Sequence, residues 1–273
     1  MLPRKTLLTG VVYGHDSWSE YWEGTLKRSN GNIGTLTTQS TVTMVQYGAT
    51  DRLAIIALLP YVSTHASQGV LHSESGFQDL SITAKFRLLS SGATSHGSLS
   101  AFIVGTGSLP VSNYTPDFYP LSIGSGGGRA AARLTVNYQA NSAFFATATS
   151  SYTFCANVKL NRDSYYTNGQ LYMTNEVAMP NVLENQITAG INSGKLRVPI
   201  SLIQQRTLGG GDIRRQDMPF VSNRMDFVKL DAGLLYSLLK NLGFTTGVGH
   251  VMSGRNVGQS TSFRLGLFYA LHI

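Results

Sequence analysis

Six histidines are scattered through the 273 residues: His15, His65, His72, His96, His250 and His272. His65 and His72 flank one polar segment, and "LHSESG" sets Ser73, Glu74 and Ser75 directly after His72. Histidine, serine and a carboxylate are the parts of a hydrolase, because an imidazole can take the serine proton while a carboxylate orients the ring. His65, His72 and Glu74 could also ligate a metal. Nothing in the sequence orders these groups, no Gly-x-Ser-x-Gly elbow is present, and the spacing matches no metal pattern. No catalytic residue, metal or cofactor is assigned. "GSGGG" (124–128) opens no strand-to-helix unit, and "GINSGK" (190–195) lacks P-loop spacing. Cys155 has no partner for an internal disulfide and reads as packing.

Two loop segments could carry binding chemistry. "GGGDIRRQDMPF" (209–220) combines permissive glycines with alternating charge. Asp212, Arg214, Arg215, Asp217 and Arg224, with Asp226 beside them, could form an ion-pair network. It would brace the loop on itself or let it fold as a gate into a pore mouth. "HDSWSEYWEG" (15–24) holds both tryptophans, Tyr21, Asp16, Glu20 and Glu23. It reads as an interfacial girdle with loop packing, or as a lip for sugars or aromatic compounds.

The elements that must position these residues are strands. Helical periodicity is nearly absent, and period-two alternation recurs in segments of about ten to fifteen residues. In "DLSITAKFRLL" (79–89), Leu80, Ile82, Ala84, Phe86 and Leu88 oppose Ser81, Thr83, Lys85 and Arg87. In "RAAARLTVNYQ" (129–139), Leu134, Val136 and Tyr138 oppose Arg133, Thr135 and Asn137. "KLRVPISLI", "MDFVKLDAGLLYSL" and "TSFRLGLFYALHI" repeat the pattern. Segments at 35–47, 98–109, 143–158 and 241–253 alternate less cleanly. One strand with a bulge at Met179–Pro180 is expected within 172–191. Connections alternate long and short along the chain, so about twelve strands put every long loop at one end. That is the antiparallel, even-numbered logic of a barrel in an outer membrane, with short periplasmic turns and long extracellular loops.

Composition agrees. The chain is 42% hydrophobic and only 13% charged, with a net charge of +7. Its cations are dispersed, which excludes a nucleic-acid-binding patch. The longest apolar run, "LAIIALLPYV" (53–62), is too short for a membrane helix. Within a bilayer the backbone must be fully paired and the apolar faces turned to lipid. The opposite faces would then line a wet lumen with Lys85, Arg87, Arg133, Arg197, Lys229, Asp231 and Arg264. These cations could give a positive lumen that prefers anions, or could pair with carboxylates and plug the interior. Acids on those faces are few, chiefly Asp231, so pairing would be incomplete. Tyr13, Tyr47, Tyr61, Tyr138, Tyr236 and Tyr269 sit where interfacial girdles would want them.

The final strand matches the polar, Gly, aromatic, apolar pattern of outer-membrane proteins at Arg264, Gly266, Tyr269 and Leu271, although it ends on Ile273 rather than Phe. It reads as an insertion signal for the barrel-assembly machinery. "YGATDRLAIIALLPYV", "GFQDLSITAKFRLL" and "RTLGGGDIRRQDMPFVSNRMD" resemble Bacteroidetes-type outer-membrane proteins grouped with the MetA pathway of phenol degradation. The resemblance runs from about Thr35 to Ile273. It implies a single outer-membrane β-barrel domain transporting small, aromatic or hydrophobic compounds, and it transfers no site residue. The expected function is therefore a channel or transporter for small solutes. The alternative is a non-conducting structural or assembly subunit docking partners on its long loops. Lipid, lipopolysaccharide and other outer-membrane subunits are the expected partners.

Overall fold

The structure is a computed structural model that describes residues 1–92, 97–214 and 219–273. Twelve long strands carry the fold: β1 (Thr6–Trp18), β2 (Leu36–Gly48), β3 (Leu53–Ala66), β4 (Asp79–Ser90), β5 (Gly97–Pro110), β6 (Arg129–Ala140), β7 (Phe144–Cys155), β8 (Val182–Ser193), β9 (Leu196–Thr207), β10 (Asp226–Ser237), β11 (Leu242–Arg255) and β12 (Thr261–His272). Each pairs antiparallel with its sequence neighbours. β1 pairs with both β2 and β12, so the sheet closes on itself and has no edge. Strands of 12–14 residues exceed the roughly 9–11 that a tilted strand needs to cross a bilayer.

One face of this cylinder is greasy and open. Val11, Val45, Ile82, Ile103, Leu134, Ile187, Ile200, Leu202, Leu230, Val248, Leu265 and Leu267 are all exposed, although they are the residues a water-soluble sheet would bury. They are in register across the strands: Ile187 faces Leu202, and Leu202 faces Leu230. Aromatic side chains bracket the band. Tyr47, Tyr236 and Tyr269 lie toward the short turns, and Tyr61, Tyr152 and Phe154 toward the long loops. Arg206, on the same outer face by its pairing with Leu183, stands one residue from the long-loop end of β9, where water is within reach. The architecture is an inverted protein, with its apolar surface outside.

The alternation breaks where the sequence is least regular. β8 begins only at Val182, and residues 172–181 belong to a long loop (156–181). There Val158–Lys159 pairs with Glu176–Val177 and Tyr165–Thr167 with Gln170–Tyr172. The expected bulge at Met179–Pro180 is therefore a correction. Pro180 has no N–H for a ladder, and Tyr165 and Val177 are drawn into a separate apolar cluster instead. The register shifts that do occur lie between Val228 and Lys229 and between Arg87 and Leu89.

That cluster roofs the long-loop end. Val158, Leu160, Tyr165, Val177, Phe220 and Val221 form a buried core among the loops, joined by Tyr119, Tyr172 and Met179. Tyr165 stacks on Tyr172 at 5.0 Å and on Phe220 at 5.2 Å. Loop 111–128 is tied down separately, because Glu74 accepts hydrogen bonds from the amides of Thr115 (2.8 Å) and Ile123 (3.2 Å). The Tyr114 hydroxyl donates to Asp79 Oδ1 at 2.6 Å. Burial, then that carboxylate, pushes the Tyr114 phenol well up, which keeps it a donor.

A charge placed in the outer band should be costly. Ile187→Arg is expected to lower unfolding free energy in liposomes by about 2–4 kcal/mol. Asn185→Arg, nearer the long-loop rim, should cost about 1 kcal/mol or less. Urea titration of both variants against the parent chain measures the difference.

Candidate functional site: the lumen and its roof

Strand register assigns the inner face. Ile56 faces Thr83 and Thr83 faces Thr106, so these residues stand opposite the exposed stripe and line the interior. Cross-strand hydroxyl pairs satisfy part of that wall: Thr83 with Thr106 at 2.9 Å, Thr135 with Thr149 at 3.2 Å, and Thr188 with Ser201 at 2.8 Å. Lys85, Arg87, Arg133, Arg197, Lys229, Asp231 and Arg264 all project to this side by their pairings. They do not form one set. The lumen has three walls of different chemistry.

The first is a basic wall on β4, β6 and β9. Lys85 and Arg133 lie at one level, each facing Val104, with Arg129 four residues nearer the roof. Arg87 and Arg197 lie toward the short turns. Among the described residues no carboxylate comes within ion-pair distance of any of these five cations. Four of them are held by neutral partners. Lys85 sits 4.6 Å from the centroid of the Phe102 ring, and Arg197 sits 3.9 Å from that of Phe145. Arg87 donates to the Asp51 carbonyl at 2.7 Å, and Arg129 to Ser125 Oγ at 2.6 Å.

The second wall carries ion pairs laid flat. Arg264 donates to both oxygens of Asp231, at 2.5 and 2.6 Å, and Lys229 donates to Ser262 at 2.8 Å. Gly247 leaves room for this, since a Cβ there would collide with the Arg264 guanidinium. Lys229, Asp231 and Arg264 therefore lie along β10–β12 instead of crossing the lumen.

The third wall is apolar. Leu8 and Val12 of β1, Val42 and Met44 of β2, and Ile56 and Leu58 of β3 face inward, and Phe268 packs over Gly10. "LAIIALLPYV" is thus apolar on both faces because one meets lipid and the other the lumen. The expectation of few lumen acids is also corrected, since Asp16, Asp79 and Glu184 join Asp231 on the inner face.

The loop charges pair differently from the network expected. Asp212 takes a bidentate pair from Arg255 of β11, at 2.7 and 2.6 Å, and not from Arg214. Arg214 is exposed, with its guanidinium over Gly169. Arg224 pairs with Asp226 at 2.8 Å. Arg215 and Asp217 lie outside the described residues. The hub is Asn256, which sequence reasoning missed. Its amide donates to Asp212 and to the Arg224 carbonyl, and its oxygen accepts from Gly24 N and Ile213 N. It does so at φ 54°, a conformation that Asn tolerates better than most residues. In "HDSWSEYWEG", Trp22 is buried, Trp18 leans on Tyr21 at 6.2 Å, and Asp16 faces the lumen.

His65 Nδ1 lies 3.1 Å from Ser73 Oγ at the exposed rim. Glu74 is committed to the amides of loop 111–128 and does not complete a triad. Among the described residues no three His, Cys, Asp or Glu converge as for a metal.

A closed antiparallel barrel with a lipid-compatible exterior, a polar and partly apolar lumen and a roof of long loops is a transmembrane β-barrel, the fold that outer-membrane channels and porins share. Residues 28–266 match the family described as "Putative MetA-pathway of phenol degradation", and the chain belongs to that family. Among solved structures, an outer membrane channel from Pseudomonas putida F1 aligns over 99% of this chain and 97% of its own, with a TM-score of 0.79 and 15% identity. The NanC porin aligns over 96% and 98%, with a TM-score of 0.51 and 10% identity. No curated protein matches the sequence.

The Asn256 hub makes two predictions. Asn256→Ala leaves the amides of Gly24 and Ile213 without their acceptor, so loop 208–225 should be cleaved severalfold faster by protease while the barrel melts as before. The Arg255 guanidinium holds Asp212 down at about 2. A carboxyl depressed in the folded state stabilises above its ordinary range and loses that contribution as pH falls through the folded value. Hydrogen exchange at Ile213, corrected for intrinsic rate, should therefore stay protected at pH 4 and rise only near pH 2. Asp212→Asn should remove the pH dependence.

Proposed function

We propose that this chain is a passive outer-membrane channel for small organic solutes, favouring anions that carry an apolar or aromatic body. The observation that carries this reading is the division of the lumen, with cations that pair with no carboxylate among the described residues on one side and an aliphatic wall on the other. A wet positive lumen lowers the barrier for anions, and an apolar strip gives a greasy body a surface to follow. The fold supports a channel role because it is shared with an outer membrane channel over nearly the whole of both chains. The family's description, phenol degradation, supports an aromatic solute.

In this reading the barrel sits in the outer membrane, with its loop roof outward and its short turns in the periplasm. Lipid and lipopolysaccharide contact the exposed band. The assembly machinery reads Arg264, Gly266, Tyr269 and Leu271, of which Arg264 also serves the lumen ion pair. Inward side chains act through charge and shape, and no bond-making chemistry is assigned. The Bacteroidetes-type grouping rests on the three sequence blocks alone.

Reconstitution in planar bilayers under a salt gradient tests the proposal. The reversal potential should favour anions, and replacing Lys85, Arg87 and Arg197 together by Gln should carry it toward zero. Cation selectivity in the parent chain would refute the lumen argument. A sealed barrel with a co-purifying protein would favour the docking-subunit reading.

A further inference from the structure

Beneath the loop roof lies a cavity of about 270 Å³. Its floor and sides come from β6–β9 and its ceiling from all three long loops over that half of the barrel. Arg129 and Arg133 enter it from β6, and Glu184 from β8. Tyr119, Met179 and Val221 close it from above, one from each loop. Resting on the channel reading, we propose that this cavity is a saturable binding site for a monoaromatic carboxylate, which the channel holds before passing it down the basic wall.

Three features converge on that ligand. The first is charge. Two guanidiniums face one carboxylate, so the lining carries a formal surplus of one positive charge. None of the three is ion-paired among the described residues. Arg129 spends one N–H on Ser125 Oγ, and Arg133 is exposed to the lumen, which leaves planar forks available for a carboxylate. The second is the ceiling. An aromatic ring, a thioether and a branched aliphatic side chain suit the face and edge of a benzene ring, not a hydrated inorganic ion. The third is size. A cavity of about 150 Å³ takes benzene, so 270 Å³ holds a ring, its carboxylate and bridging water. The next cations are placed for release. Lys85 is level with Arg133, and Arg87 and Arg197 lie further along toward the short turns.

The site should be probed with benzoate, toluene and acetate on the purified full chain in detergent, by calorimetry, with benzoate current measured in bilayers. Benzoate is expected to bind saturably, toluene and acetate each at least tenfold more weakly. Arg133→Gln should weaken benzoate about tenfold, the loss of one charge-assisted contact. Glu184→Gln should strengthen it severalfold, a gain that a merely damaged barrel could not give. Equal binding of toluene would overturn the carboxylate assignment, and equal competition by acetate the aromatic one. Indifference to both substitutions would place the site elsewhere. The two readings fail separately. A conducting barrel with no saturable benzoate binding removes the site and leaves the channel. A sealed barrel that still binds benzoate removes the channel and leaves the site.

Discussion

Closure of the backbone ladder is the constraint from which the other features follow. In hydrocarbon an unpaired N–H or C=O costs several kcal/mol, so a sheet can span a bilayer only when its last strand pairs with its first. Here β12 meets β1 from Thr6–His272 to Ser17–Thr261, a full strand of register. Once the cylinder is closed, the side-chain period of two leaves each residue a choice between lipid and lumen. Every inward position then becomes available for chemistry without endangering the wall. That freedom explains how Pro199, Gly247 and Arg264 can all sit on the inner face of a stable sheet.

The barrel is not closed by packing, and its interior is a wall part polar and part apolar in place of one continuous core. The fully buried side chains instead concentrate among the loops and at the inner rim: Leu121, Val158, Val177 and Phe145. The loop roof is thus a small globular unit with its own hydrophobic cluster, set over one half of the lumen. It is fastened by polar clamps of long sequence separation, Glu74 to loop 111–128 and Asn256 to loops 19–35 and 208–225. A roof built this way can keep its shape while the barrel below stays open to solvent.

Legibility in the sequence divides along the same line. The strand count and the two faces of β4, β6, β9, β10 and β12 were readable because lipid demands an uninterrupted apolar stripe, which period two reveals directly. β3 hid its inner face, since "LAIIALLPYV" is apolar at every position and periodicity cannot separate two greasy surfaces. Residues 172–181 imitated a strand because Val177, Met179 and the apolar run that follows read as one extended segment, yet Val177 pairs with Val158 and packs in the loop cluster with Tyr165 and Phe220. The partner of Asp212 was equally hidden. Arg214 is its neighbour in sequence, but Arg255 is the one that strand pairing delivers to it. Local pattern sees the ladder, and it is blind to contacts made by folding loops.

The cost of the basic wall argues for what the lumen must contain. Five cations with no carboxylate partner among the described residues would be prohibitive in a dry interior, where a buried charge left unpaired costs several kcal/mol. On β10–β12 the chain shows that it can neutralise charge when it needs to, since Asp231 takes Arg264 in a bidentate pair and Gly247 clears the space for it. The absence of the same solution on β4, β6 and β9 is therefore a property of that wall and not a limit of the fold. Aromatic rings at Phe102 and Phe145 support two of the cations without cancelling their charge. Such an arrangement is stable only if water or mobile anions complete it, which makes the solute part of the electrostatic design of the pore.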